Sequence, residues 1–125
     1  MKIRESGEMY LEHILSLRRE RGVVRAIDVA ARCGYSKPSV SRAVSLLRAA
    51  GYLTVEENGN LLLTEAGEAL AEKVAERHRI LSDFLKSIGV PDDLADTDAC
   101  KIEHVISDET FETLKTFVNK GEVRS

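Results

Sequence analysis

Residues 34–64 read GYSKPSVSRAVSLLRAAGYLTVEENGNLLLT, and this stretch decides the fold. Pro38 stands where the first turn of a helix tolerates a missing N–H, and the helical pattern that follows runs to Gly51, a natural stop. Val40, Val44 and Leu47, joined by Ala43, fall on one side of that helix. The other side carries Pro38, Ser41, Arg42 and Ser45 at i, i+3, i+4 and i+7, with Lys37 and Ser39 at the amino end and Arg48 further along. Two short apolar runs then flank Asn58-Gly59, which predicts a β-hairpin.

Working outward toward the amino end, residues 5–21 place Met9, Leu11, Ile14, Leu15 and Leu17 at helical spacing, and Gly22 ends the run. Ile27 to Cys33 predicts a short second helix stopped by Gly34. Helix, glycine turn, helix and hairpin together make a winged helix-turn-helix. Toward the carboxyl end, Thr64 caps a long helix that Gly89 closes. Pro91 opens a fifth helix expected through Ile106, and Ser107 caps a sixth reaching Lys120, whose Phe111, Leu114, Phe117 and Val118 form an apolar face. The expected fold class is therefore mainly α. A winged helix-turn-helix with a small β-hairpin wing occupies residues 1–63, and an all-helical domain occupies 64–125.

Charge separates the two halves. Residues 1–55 hold ten Lys and Arg against five Asp and Glu, whereas 56–125 hold eight against sixteen, which hides beneath a net charge of −3. A basic front on an acidic rear is the asymmetry expected when one end meets phosphates. On the third helix, small side chains let the backbone approach a major groove, Arg42 can reach guanine edges, and Lys37 with the first-turn amides can hold phosphate. Ser36, Lys37, Pro38, Ser39, Ser41, Arg42, Ser45 and Arg48 form the expected DNA-facing set. Asn58 and Asn60 read as turn residues. The apolar runs are broken by charge and the start, MKIRESGEMY, lacks the apolar segment of a signal peptide, so a cytoplasmic protein without a membrane partner is expected. In that setting Cys33 and Cys100 read as free thiols or ligands rather than a disulfide.

Residues 98–109, DACKIEHVISDE, place a thiol, a carboxylate and an imidazole at Cys100, Glu103 and His104. On a helix, positions i, i+3 and i+4 share a face, which is a metal-site geometry. No separate base and no Gly-rich phosphate loop accompany it, which argues against an enzyme.

The order GEMYLEHI (7–14), YSKPSVSRAV (35–44), TEAGEALAEKVAERHRIL (64–81) and DACKIEHVISDE resembles the diphtheria toxin repressor and manganese transport regulator family of metal-activated repressors. The resemblance covers nearly the whole chain, in its short two-domain form. It implies a homodimer that binds double-stranded operator DNA, with a divalent metal as corepressor and dimerisation through the second domain. Carried over position by position, it implies metal ligands at Met9, Glu12, His78, Cys100, Glu103 and His104. A second, ancillary site of the family has its carboxylate position at Ser82 and its later histidine at Asp96, leaving Asp83 and Asp96 as candidate ancillary ligands. Sulfur at Met9 and Cys100 resembles the iron-responding branch, while Glu12 is similar to the manganese pattern. Fe(II) is the expected metal and Mn(II) the second, with Zn(II), Co(II) or Ni(II) able to substitute in vitro. By this resemblance, ligands on the first and fifth helices tie DNA reading to dimerisation and fix the spacing of two recognition helices. Protonation of Cys100, His78 or His104 competes with metal, so activation weakens at low pH.

Overall fold

A computed structural model describes residues 5–119. The elements run α1 (Glu5–Arg21), α2 (Ala26–Cys33), α3 (Lys37–Ala49), β1 (Leu53–Val55), β2 (Leu61–Leu63), α4 (Glu65–Ser87), α5 (Asp92–Ile102) and α6 (Asp108–Asn119). They form two compact units, Met1–Glu72 and Lys73–Ser125. Lys120, the expected end of the last helix, lies outside the described residues.

In the first unit α1 packs on α2, α3 and β2. Leu11, Ile14, Leu15 and Leu17 of α1 meet Val29 of α2, Val40 and Leu47 of α3 and Leu53 and Leu61 of the hairpin in one buried core. Burial at 14–15–17, 40–47 and 53–61 follows the helical and strand periods expected of the sequence. Gly34 closes α2 in the left-handed region at φ 72°, donating its N–H to the Ala30 carbonyl. Ser36 then caps α3, its Oγ accepting from the Ser39 amide at 3.3 Å.

The hairpin pairs Leu53 with Leu63 and Val55 with Leu61. Its turn is not centred on Asn58-Gly59, as the dipeptide suggests. Gly59 N–H donates to the Glu56 carbonyl at 2.8 Å and Glu56 N–H to the Asn60 carbonyl at 2.9 Å, so Glu57 and Asn58 are the central residues. Gly59, at φ 88°, takes the left-handed position that follows. Asn60 is buried and its Oδ1 accepts from Val24 N–H at 3.0 Å, stapling the wing to the segment before α2. The first turns of α4 belong to this same unit. The Gly67 Cα lies under the Tyr52 carbonyl so closely that a Cβ would stand 1.9 Å from that oxygen, while Arg18 and Arg19 pair with Glu68 and Glu72.

The second unit buries Val74, Ile80 and Leu81 of α4, Ala95 and Ala99 of α5 and Phe111 of α6. Helix α5 ends at Ile102, four residues before the expected Ile106. The amides of Val105 and Ile106 both fold back on the Ile102 carbonyl at 3.0 Å, and the carbonyls past the helix end find a side-chain donor. Arg77 Nη1 donates to the carbonyls of Glu103 at 3.2 Å and Ile106 at 3.0 Å, so a side chain from α4 satisfies acceptors that further helical amides would otherwise need to reach. The expected cap of the last helix is present, Ser107 Oγ accepting from Thr110 N–H at 3.1 Å.

Candidate metal centre and DNA-reading face

Cys100 sits in the last turn of α5, Glu103 is its C-cap, and His104 lies in the turn that follows. The three are therefore not stacked on one continuous helix. They still converge, with one ligand atom from each lying within 4.8 Å of the others, and among the described residues no other group of His, Cys, Asp and Glu does so. His78, on α4, joins their edge: its Nδ1 lies 3.6 Å from Glu103 Oε2, while His104 Nε2 lies 3.6 Å from Glu103 Oε1.

Glu103 is the centre of this arrangement. It is 1% exposed, and neither carboxylate oxygen accepts a hydrogen bond from any described residue. The flanking imidazole nitrogens stand beyond hydrogen-bond reach. A carboxylate taken out of water without donors is costly, and a cation within coordinating distance of both oxygens removes that cost. A thiolate, a carboxylate and imidazole nitrogens are a donor set for a divalent transition ion. The residues fit the group.

Arg77 holds the turn that carries two of these donors, and sequence reasoning did not single it out. It is 8% exposed, donates to the Glu103 and Ile106 carbonyls, pairs with the Asp108 carboxylate, and stacks its guanidinium carbon 5.3 Å from the centre of the Phe111 ring. In the sequence it is one of two arginines in ERHR, with nothing local to mark its reach.

Asp96 lies on α5 beside His78. It accepts from the Ser82 hydroxyl, with Lys86 Nζ at 3.4 Å and His78 Nε2 at 3.9 Å. That hydroxyl first, and the Lys86 ammonium with it, hold the Asp96 carboxyl below its ordinary value. Asp83 is half-buried on α4. Met9 and Glu12 are half-buried on α1, in the first unit, and the Met9 sulfur accepts from the Tyr35 hydroxyl at 3.8 Å. Cys33, also in that unit, is a thiol outside any disulfide whose pKa burial pushes up, and Cys100 likewise takes no part in a disulfide.

On the reading face, Lys37, Pro38, Ser41, Arg42, Ser45 and Arg48 of α3 are all exposed, and Ser39 is half-buried. Ser36 is exposed too, but its Oγ is committed to the cap. The polar side of the helix is open to a groove while Val40 and Leu47 anchor the opposite side.

A winged helix-turn-helix unit, together with a helical unit that brings a thiol, a carboxylate and imidazoles to one spot, suits a metal-regulated DNA-binding protein as the class. Comparison with known proteins places the chain within it. The iron dependent repressor N-terminal DNA binding domain matches residues 2–61, and the iron dependent repressor metal binding and dimerisation domain matches residues 64–124. The chain belongs to this family of metal-dependent transcriptional repressors. The transcriptional regulator MntR of Escherichia coli O6:H1 is 38% identical over 117 residues, covering 94% of this chain and 76% of the relative. The iron-dependent repressor IdeR of Mycobacterium bovis is 35% identical over 116 residues, covering 92% of this chain and 50% of the relative. Among solved structures, the manganese regulator SloR superposes with a TM-score of 0.81 at 28% identity, covering 95% of this chain and 55% of that one. The chain thus spans about half the length of the last two. Among the described residues no helix is long and apolar enough to cross a membrane.

Proposed function

We propose that this chain is an Fe(II)-responsive repressor that binds operator DNA as a homodimer, and that Cys100, Glu103, His104 and His78 hold its corepressor metal. The observation that carries the reading is Glu103, a fully buried carboxylate without a hydrogen-bond donor among the described residues, bracketed by two imidazoles. A bound divalent ion supplies positive charge and a fixed coordination number at that point. In this reading Glu103 would supply its carboxylate, Cys100 its thiolate and each histidine a ring nitrogen, while Met9 and Glu12 of α1 are added on the resemblance alone. In this reading metal loading and DNA reading are linked equilibria, a coupling commonly worth about 1–3 kcal/mol. The thiolate of Cys100 and the thioether of Met9 favour Fe(II) over Mn(II). Mn(II) is the second reading, favoured by relatives that carry the name MntR and by the solved manganese regulator.

The exposed side chains of α3 read DNA, Arg42 at base edges and Lys37 at phosphate. Dimerisation is assigned to the second unit, where Phe84, Leu114 and a 42%-exposed Phe117 line an open apolar groove of about 530 Å³. The test is anaerobic fluorescence anisotropy of the demetallated protein on a palindromic operator from its own promoter, titrated separately with Fe(II) and Mn(II). Tight binding only with Fe(II) is the expected result, and an equal response to both moves the assignment to a broader metal sensor. Glu103→Ala should abolish metal-dependent DNA binding while keeping the far-ultraviolet dichroism of the folded chain. A wild-type response in that variant sinks the assigned role, as does operator binding that needs no metal.

A further inference from the structure

The arginines of the first unit divide into two sets. Arg18 pairs with Glu68 at 3.2 Å, Arg19 with Glu72 at 2.7 Å, Arg21 with Asp28 at 3.0 Å and Arg32 with Glu20 at 2.9 Å, so their charge is spent inside the unit. Among the described residues, those left without a carboxylate in ion-pair reach are Arg25, Arg42 and Arg48. Arg42 and Arg48 belong to the reading face of α3, whereas Arg25 stands just before α2. Its side chain is nonetheless fixed. Arg25 Nε donates to the Asn58 carbonyl at 2.9 Å, and its stem lies over Gly59, where a Cβ would meet Arg25 Cδ at 3.7 Å. The adjoining backbone is pinned to the wing as well: Val24 N–H donates to Asn60 Oδ1 at 3.0 Å and Leu61 N–H to the Val24 carbonyl at 2.7 Å. Arg25 is exposed, and among the described residues its two Nη amines meet no acceptor.

A guanidinium held through Nε, with both Nη amines left over, is a preorganised donor for an anionic oxygen. The wing offers no cation of its own. Residues 53–63, LTVEENGNLLL, hold two carboxylates and neither Lys nor Arg, and Glu56 and Glu57 are both exposed. Glu57 adjoins Asn58 in the chain, yet forms no ion pair with Arg25. We propose that Arg25 is a backbone-phosphate anchor of the DNA-reading unit, and that the wing serves as its bracket: the Asn58 carbonyl fixes the guanidinium while the Nη amines grip a phosphate oxygen of the duplex. The inference rests on the DNA-binding reading made above and adds to it a cation from outside the recognition helix. A neutral donor would serve as well if the bond to Asn58 were the whole purpose. A phosphate contact carries no base information, so Arg25 contributes affinity and salt sensitivity on every sequence alike.

The test is anaerobic fluorescence anisotropy of the full Fe(II)-loaded chain on two duplexes, the palindrome from its own promoter and a scrambled sequence of equal length, over a series of KCl concentrations. Arg25→Gln keeps a donor for the Asn58 carbonyl and removes the charge. It should bind both duplexes about fivefold more weakly at about 0.15 M salt, and the slope of log K against log salt should fall by about 0.9 on each. Arg19→Gln makes the same change of charge where Glu72 already matches it, and should leave both slopes at the wild-type value. Arg25→Lys, which retains the charge, should retain the slope. An unchanged slope in Arg25→Gln would overturn the proposal even if affinity fell, because Arg25 would then only brace the wing. A loss confined to the palindrome would make Arg25 a base reader, with the same effect. A second measurement needs no variant: in the Zn(II)-loaded wild type, the ¹H–¹⁵N signals of the Arg25 Nη amines should shift and exchange more slowly on saturation with duplex, and unmoved signals overturn the proposal. A wild-type chain that binds neither duplex fails the DNA-binding reading and takes this inference with it, whereas wild-type binding with the Arg25→Gln slope unchanged fails this inference alone.

Discussion

Removing the guanidinium of Arg77 while keeping its apolar stem, as Arg77→Met does, separates the support of the metal turn from the metal ligands themselves. The variant loses two hydrogen bonds from a charged donor to the carbonyls of Glu103 and Ile106. Bonds of that kind are worth about 1.5–3 kcal/mol each when buried. The ion pair with Asp108 adds little, because the Asp108 side chain is 72% exposed and its charge is screened by water. Against the loss stands a gain, since Arg77 Nε is buried without a hydrogen-bond acceptor among the described residues, and removing it relieves roughly 1–3 kcal/mol of desolvation. The net expectation is destabilisation by about 2 kcal/mol, or a fall in Tm of about 5–10 °C.

The functional effect should be larger than this stability effect suggests. Glu103 and His104 lie on the turn that Arg77 holds, so a loosened turn must be re-ordered each time metal binds, and affinity should fall about 10–100-fold. Arg77→Lys is the informative companion. Its ammonium is a point donor that cannot span two carbonyls as the planar fork does, so its metal affinity should resemble that of Arg77→Met even where its stability is better. Urea unfolding and Mn(II) titration calorimetry on the three proteins measure the two effects separately. A variant that loses the expected stability yet binds metal like the wild type would refute the idea that Arg77 organises the site.

Other residues make equally definite predictions. Gly67→Ala places a methyl 1.9 Å from the Tyr52 carbonyl oxygen, and the helix-propensity gain of about 1 kcal/mol cannot offset an overpacking cost of about 3 kcal/mol, so the urea midpoint should fall sharply. Glu20, gripped through both oxygens by Arg32 at 2.9 Å, has its carboxyl held below the ordinary value. Its folded state binds fewer protons than the unfolded chain, so its contribution is present above the ordinary carboxylate pKa and lost as pH falls through the depressed one; the stability gap between wild type and Glu20→Gln should close below about pH 4. On the reading face, Arg42→Ala should weaken operator binding by about 1–3 kcal/mol and relax preference at one base pair, while Lys37→Ala should weaken all sequences alike and lower the salt slope by about one. Anisotropy at several salt concentrations distinguishes the two.

What the sequence made legible and what it hid divide along a physical line. Periodicity reports which face of an element is buried, so the core positions of α1, α3 and the wing could be read from spacing, as could the stops at Gly22, Gly34 and Gly51. The dipeptide Asn58-Gly59 suits two turn types, and the one centred on Glu57 and Asn58 goes with Asn60, whose Oδ1 accepts from Val24 N–H while its Nδ2 donates to the Glu56 carboxylate. The end of α5 was hidden for a stronger reason. Nothing between Cys100 and Ser107 says that a guanidinium 26 residues earlier in the chain will take the Glu103 carbonyl. Because that partner ends the helix at Ile102, Glu103 leaves the regular spiral and becomes its cap, and the three donors meet through a turn rather than along a helix face. The i, i+3, i+4 spacing picks out three residues that do converge, by assuming a geometry they do not keep. It could do so because a C-cap retains right-handed helical torsions, here φ −57° and ψ −25°, so the first residue past a helix still points where the helical pattern would send it. The residue that holds the turn is invisible to any such local rule. Arg77 reaches the Glu103 carbonyl from α4, through a side chain whose partner lies 26 residues away in the chain.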